Sequence, residues 1–389
     1  MLKTLKDFDV KNKRILVRCD FNVPLNEKGE VEDIFRIKQT LPTIEYLIKN
    51  KAKVVLMSHL GEPEGKIISG LRLTPIQKRL TELLDLPVKK TKDCVGQDIM
   101  KQTLKMKPGE VLLLENLRFH DEEEKNNLDF AEELSKLGEI YINDAFGVCH
   151  RVHASVVGVP RFLPSAAGLL LQKEVKVLSR VLENPWRPLV VIIGGAKIST
   201  KTKLIKNFLE KADHVLIGGK IANTFLIIKG ICIGRPWPEE EVAKELESVS
   251  LTSPKIHLPI DALASPDNTG KTYVRESAPG KARRDELLLD IGPETIDLFS
   301  RVIKEAKMIV WSGPMGFFEN PLFEKGTKEI AERIVRNHKA YKIIGGGDTV
   351  AAVSKFGLLD KFDHISTGGG AMLSFLGGEK LPGLKVLEK

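Results

Sequence analysis

The chain has four cysteines, Cys19, Cys94, Cys149 and Cys232, and no two of them form a Cys-x-x-Cys pair. That scatter suggests neither a zinc site nor a disulfide framework, and free thiols are the expectation. Aromatic residues make up only 6% of the sequence, which leaves few platforms for stacking bases. Charge of a single sign is missing as well. The 60 basic residues are interspersed with 52 acidic ones, so the net charge of +8 fits an acidic small substrate better than nucleic acid. No segment approaches about 18 uninterrupted apolar residues, and the N-terminal MLKTLKDFDVKNKRILVRCD lacks the apolar stretch of a signal peptide. The expectation is a cytoplasmic protein with no membrane and no nucleic-acid partner.

What is present is a rhythm. At 389 residues, the chain is long enough for about two domains. Short apolar runs alternate with helical patterns: RILVRCDF, a helix through TLPTIEYLIKN, AKVVLMSHLG, a helix through TPIQKRLTELLD, EVLLLENLRF, a helix near LDFAEELSKLG, and EIYINDAFG. The rhythm resumes after residue 185 with RPLVVIIGG, DHVLIGG, KMIVWSGP, YKIIGGGD and HISTGGG. Such alternation means βαβ units, so both halves read as parallel α/β sheets. Between them, LLLQKEVKVLSRVLENP reads as a helix stopped by Pro185. The acidic run DEEEKNN, residues 121–127, reads as a solvated loop and helix start.

Five glycine-rich turns, IGGAK, IGGK, WSGPMG, GGGDT and TGGGA, follow apolar runs in the second half. In parallel sheets such turns converge at the carboxyl edge, where backbone N–H groups and helix N-termini attract phosphate. Lys197 and Lys201 add charge there, and their spacing of four predicts a shared helix face. Asp348 is either the N-cap of its helix or a carboxylate placed to hold magnesium beside a phosphate, and Glu319 either bonds a ribose or sits on the surface. By contrast, SPDNTGKTYV ends in the Gly-Lys-Thr of a phosphate loop, but Ser265 stands where the first glycine is required, so a structural turn is expected. In the first half, Arg18, Asp20, Asn22, Arg36, His59, Arg118, His150, Arg151 and His153 all fall near strand ends. Several guanidinium forks brought together make an anion site.

Taken together, RCDFNVPL, SHLG, LLLENLRFHDEEEKN, INDAFGVCHRVHAS, IGGAK, LDIGPETI, WSGPMGFFE, GGGDT and STGGGA resemble phosphoglycerate kinases, in the family's motif order and over nearly the whole chain. The resemblance implies an α/β fold of two Rossmann-like parallel-sheet domains joined by an interdomain helix hinge. On this reading residues 1–168 bind 3-phosphoglycerate, 169–184 form the helix, 185–372 bind the nucleotide, and 373–389 return to the first domain. It also implies a monomer that moves a phosphoryl group between ATP and 3-phosphoglycerate, giving ADP and 1,3-bisphosphoglycerate, with Mg2+ as the nucleotide complex. The substrate would meet Asp20, Phe21, Asn22, Arg36, His59, Leu60, Gly61, Glu62, Arg118 and Arg151. The nucleotide would meet Gly194, Gly195, Lys201, Gly219, Glu319, Gly346, Gly347, Asp348 and Thr349, with Asp348 holding the metal. Arg36, Lys197 and the helix starts at Gly347 and Gly370 would surround the phosphoryl group in flight.

The implied acceptor is a carboxylate, already ionised at neutral pH, so no general base is needed. Alignment, charge cancellation and exclusion of water then carry catalysis. Three positions depart from the family pattern. Glu62 stands where arginine is common, Ser312 where asparagine is usual, and Lys220 where a small residue usually follows the IGG. Glu62 is expected to turn aside and pair with a cation such as Lys66 or Arg18, which leaves Arg36, Arg118, Arg151 and the potentially cationic His59 to hold the anion.

Overall fold

The structure is a computed structural model that describes residues 2–198, 201–231, 234–235 and 252–388; Cys232 lies outside them. The chain forms two compact units. One comprises the residues up to Lys176 together with those from Lys380 onward, and the other is Val177–Glu379. The helix Leu169–Glu183 begins in the first unit and ends in the second. No helix among the described residues is long and apolar enough to cross a membrane.

In the first unit the strands are β1 (Arg14–Arg18), β2 (Lys53–Met57), β3 (Val88–Lys90), β4 (Val111–Leu113), β5 (Ile140–Asn143) and β6 (Ser165–Ala167). All pair in parallel, in the order β3-β4-β2-β1-β5-β6. Their runs are apolar almost without alternation because helices cover both faces of a parallel sheet. Ile15, Leu16 and Val17 of β1 are completely buried. The strand order reverses beside β1, so the loops after β1 and β5 open a crevice at the carboxyl edge.

In the second unit, β7 (Leu189–Ile193), β8 (His214–Ile217) and β9 (Ile256–His257) run out to one side. Then β10 (Ala262–Ser265), β11 (Arg275–Ser277) and β12 (Leu287–Ile291) form a small antiparallel sheet, before β13 (Met308–Ser312), β14 (Tyr341–Ile344) and β15 (His364–Ile365) complete the main one. The main order is β15-β14-β13-β7-β8-β9, again all parallel, and the switch point lies between β7 and β13. Trp311 on β13 is fully buried, and its indole N–H donates to the Gly313 carbonyl at 2.8 Å, which fixes the turn after the strand. The two parallel α/β sheets expected from the sequence are both present. The Gly-Lys-Thr near residue 270 is a turn, as expected: Asp267 accepts from the Thr269 and Gly270 N–H groups, and β11 follows it.

Residues near the two ends of the chain meet within the first unit. Leu2 bridges Glu388, the Lys3 N–H donates to Leu387, and the Gly383 N–H donates to Cys149. Leu381, Leu384 and Leu387 are buried there.

Candidate active site

In the first unit the loops after β1, β2 and β4 are stitched together by side chains that also belong to the predicted anion site. Asp20 accepts from the Arg36 guanidinium at 2.8 Å and from the Asn22 N–H at 3.2 Å. The Asn22 amide oxygen accepts from the Gly61 N–H at 2.9 Å, and Gly61, held at φ 64°, takes the Arg118 guanidinium on its carbonyl at 2.8 Å. Asn116 clamps Leu60 through both its N–H and its carbonyl. The rings and chains of Phe21 and Leu60 are buried in the core, so these two predicted site residues offer only backbone to a ligand.

His59 shows that the positive groups have been brought together. Its pKa lies well below the usual imidazole value because of burial, reinforced in turn by the fields of Arg18, Arg118, Arg36 and His153. His59 is therefore neutral, which corrects its expected place among the cations. Arg18 donates to His59 Nδ1 at 3.3 Å. A guanidinium can only donate, so the imidazole proton resides on Nε2. Arg118 is held below the usual guanidine range by burial and also feels the positive field of Arg151.

Glu62 does not pair with Lys66 or Arg18. Arg18 is fully buried and engaged by Ser155 at 2.7 Å and by the Cys19 carbonyl, and the Glu62 carboxylate instead lies 3.8 Å from Arg118. Arg118 also has Glu124 at 3.1 Å.

Sequence reasoning missed Glu123. It belongs to the acidic run expected to be solvated, yet it is completely buried and accepts from the Ser155 N–H at 2.8 Å and hydroxyl at 2.6 Å. Arg18 stands 3.6 Å from it and His153 3.8 Å. Burial, with Arg18 and Arg118 next, pushes the His153 pKa down to about 3. Glu123 supplies a fully buried negative charge beside Arg18 and His153. Nothing in a run of four acidic residues marks which one turns inward.

In the second unit the glycine turns converge at the switch point, where the missing Cβ atoms let backbones approach closely. The Gly194 N–H donates to Ser312 at 3.0 Å and the Gly195 N–H to Pro314 at 2.8 Å, so the turns after β7 and β13 touch backbone to backbone. A Cβ on Gly194 would collide with the carbonyls of Gly313 and Pro314. Beside them opens a cavity of about 320 Å³ lined by Gly195, Gly219, Glu319 and Asp348, with Lys220 at the same wall and Leu226, Leu288, Met315 and Phe317 as apolar surface. The apolar part was not legible, since such residues look like any core.

Lys201 lies beneath this cavity's glycine wall. Its ammonium is buried and donates to the Gly194 and Ser312 carbonyls. Burial pulls its pKa down to about 8, and the Asp348 carboxylate opposes that pull. Lys197 and Lys201 do not share a helix face. The helix spans Thr202–Lys211, Lys201 is its N-cap, and Lys197 is exposed in the preceding loop. Gly346, at φ 97°, caps the helix Gly347–Lys355, and a Cβ on Gly347 would meet nothing within 4 Å. Thr349 is buried, with its hydroxyl accepting from the Gly313 N–H at 2.6 Å, so it ties two loops together. Gly370 opens the short helix Gly370–Leu376 behind Gly369 at φ 46°.

Comparison with known proteins gives a consistent result. Residues 5–379 match the family described as phosphoglycerate kinase. A phosphoglycerate kinase of Dictyoglomus turgidum is 48% identical over 394 residues, covering 99% of this chain and 98% of its own. One from Borrelia garinii is 48% identical over 393 residues, covering both chains completely. Among solved structures, the phosphoglycerate kinase of Coxiella burnetii superposes with a TM-score of 0.86 at 36% identity, covering 100% of this chain and 99% of its own.

Proposed function

This chain belongs to the phosphoglycerate kinase family, and from that premise we propose how its two groups of residues divide the reaction. The reaction is reversible phosphoryl transfer between ATP and the carboxylate of 3-phosphoglycerate, giving ADP and 1,3-bisphosphoglycerate, a step of glycolysis. In our reading the first unit holds 3-phosphoglycerate. Arg36, Arg118 and Arg151 offset its charge, and neutral His59 donates from Nε2. Asp20 and Asn22 hold Arg36 and the Gly61 loop in position, while Glu62 competes weakly for Arg118.

The second unit holds the nucleotide in the glycine-walled cavity, which is the observation that carries the assignment there. The apolar wall suits a base, Glu319 a ribose hydroxyl, and the exposed N-terminus at Gly347 a phosphate. Asp348 is an exposed carboxylate on the same cavity, a donor that fits magnesium, and an ion held there would offset phosphate charge. Lys201 neutralises the phosphates from below. Lys197, with Arg36 and the backbone N–H groups at Gly347 and Gly370, offsets the charge on the phosphoryl group during transfer. The acceptor carboxylate needs no base, so these residues act by alignment and charge alone. Because donor and acceptor are bound on different units, transfer requires them to approach, and we assign the hinge to the helix Leu169–Glu183. Each chain carries both proposed binding regions, which supports a monomer, and a cytoplasmic location belongs to the same proposal.

A coupled assay for 1,3-bisphosphoglycerate, with ATP, magnesium and 3-phosphoglycerate, tests the assignment. Wild type turns over, whereas a chain with full nucleotide and 3-phosphoglycerate binding but no product would be a binding protein and would overturn it.

A further inference from the structure

The loops that leave β3 and β4 carry a cluster that the proposed reaction does not use. β3 and β4 are parallel neighbours, with Lys90 opposite Leu113, so the segments Thr91–Gly96 and Glu115–His120 lie side by side at one edge of the first unit's sheet. Asp93, Cys94 and His120 meet there, with one ligand atom from each lying within 4.8 Å of the others. His120 Nε2 is 2.6 Å from Asp93 Oδ1, and the Cys94 thiol donates to the Glu115 carbonyl at 3.0 Å. We propose that Asp93, Cys94 and His120 form a binding site for one zinc-class divalent cation, which clamps the two loops together.

The donor set selects the metal. One sulfur, one imidazole nitrogen and one carboxylate oxygen suit a borderline-soft ion, whereas the hard magnesium of the nucleotide takes oxygen alone. Tetrahedral bonds of ordinary zinc length put ligand atoms about 3.3–3.6 Å apart. The cluster reaches this by opening the close His120–Asp93 contact and drawing the sulfur, which lies within 4.8 Å of both, inward. A thiolate, a carboxylate and a neutral imidazole balance the charge of a dication. Cys94 is wholly buried, while the Asp93 and His120 side chains are 55% and 24% exposed, so an ion enters from their side and keeps its fourth position toward water.

The surroundings already hold the ligands in place. His120 stacks on Phe130 with ring centroids 4.9 Å apart, and the Cys94 N–H donates to Asp93 Oδ1 at 2.7 Å. Glu115 is no competing ligand, because Arg72, Lys90 and the N–H groups of Leu73 and Asn116 occupy its carboxylate. The same bond ties down Lys90, the cation that would otherwise face an incoming ion. On binding, Cys94 releases its proton to solvent and the sulfur forms the metal bond, with nothing oxidised or reduced. Burial, aided by Asp93 and Glu115, holds the thiol pKa well above its usual value, and a dication supplies the positive charge that reverses this. Cysteine spacing along the chain gave no hint of the site, since its ligands come from two loops about 25 residues apart that strand pairing brings together.

Titration of the full chain with Co2+, a spectroscopic stand-in for zinc, tests the proposal. One cobalt per chain should produce a thiolate-to-cobalt charge-transfer band that zinc then displaces. Cys94→Ser should abolish the band. His120→Gln and Asp93→Asn, at more exposed positions that keep the fold, should each weaken binding at least about tenfold, the lower end of what even supporting groups around a metal contribute. His214→Gln should leave it unchanged, although His214 and His257 form another close pair of potential ligands, 3.1 Å apart. Absence of the band in wild type, its survival in Cys94→Ser, or undiminished affinity in both His120→Gln and Asp93→Asn would each overturn the proposal.

Discussion

At the scale of single residues, the site is defined by which groups are charged. His59 is buried and depressed, so it stays neutral across the physiological range. We predict that 15N chemical shifts report the Nε2–H form of His59 at pH 7; an Nδ1–H or imidazolium signal there would contradict it. Glu62 is 75% exposed and 3.8 Å from Arg118, which makes their pair a weak one. Exposed pairs contribute at most about 1 kcal/mol, so Glu62→Arg should lower the KM for 3-phosphoglycerate no more than about fivefold, with turnover little changed. A fall in turnover would reveal a positive role for Glu62. Lys197→Ala should reduce turnover by roughly 100-fold while weakening nucleotide binding far less, by analogy with removing a preorganised charge-stabilising donor. Near-normal turnover would take Lys197 out of the mechanism. The arginines and glycines of these loops stand out in the sequence because a planar fork and a backbone without Cβ each call for one residue type. Glu123, expected to be solvated, and the buried side chains of Phe21 and Leu60 were not legible, for the opposite reason. A buried carboxylate and an exposed one share the same letter, and only packing distinguishes a side chain that faces a ligand from one that faces the core.

At the scale of elements, strand rhythm was readable almost throughout, since fully buried parallel strands leave continuous apolar runs between helical patterns. Helix starts were less so, as the displaced Thr202–Lys211 start shows. The helix Leu169–Glu183 is capped by a residue far away in sequence: Asp144, just beyond β5, accepts from the Leu170 N–H at 2.9 Å and the Leu171 N–H at 3.2 Å. Burial raises the Asp144 pKa from 3.8 to about 7 despite those bonds. A carboxyl raised in the folded state binds its proton more tightly there than in the unfolded chain. Its ionisation therefore costs stability progressively as pH rises from about 4 to about 7, and the cost is constant above that. Chemical denaturation of wild type and Asp144→Asn across this window should show the difference between them changing in favour of the variant as pH increases. A difference that stays constant would mean that Asp144 titrates normally.

At the scale of the whole molecule, the proposed division of labour requires motion. Scattering from the protein with 3-phosphoglycerate and a non-hydrolysable ATP analogue together should give a smaller radius of gyration than with either ligand alone. Equal values in all states would argue against ligand-driven closure. The other large-scale feature is the meeting of residues near the two chain ends in the first unit. Three buried leucines, Leu381, Leu384 and Leu387, dock there, so the first unit is completed by chain that emerges only after the second unit. On a ribosome, the roughly 200 intervening residues take about 10–40 s to make at ~5–20 residues per second. During that interval the surface around Cys149 and Val156, against which Gly383 packs, stands open on a nascent chain whose sheet is otherwise complete. The second unit is thus the first that can finish folding unaided, and chaperone contact during synthesis should concentrate on the N-terminal sheet until its last ten residues arrive.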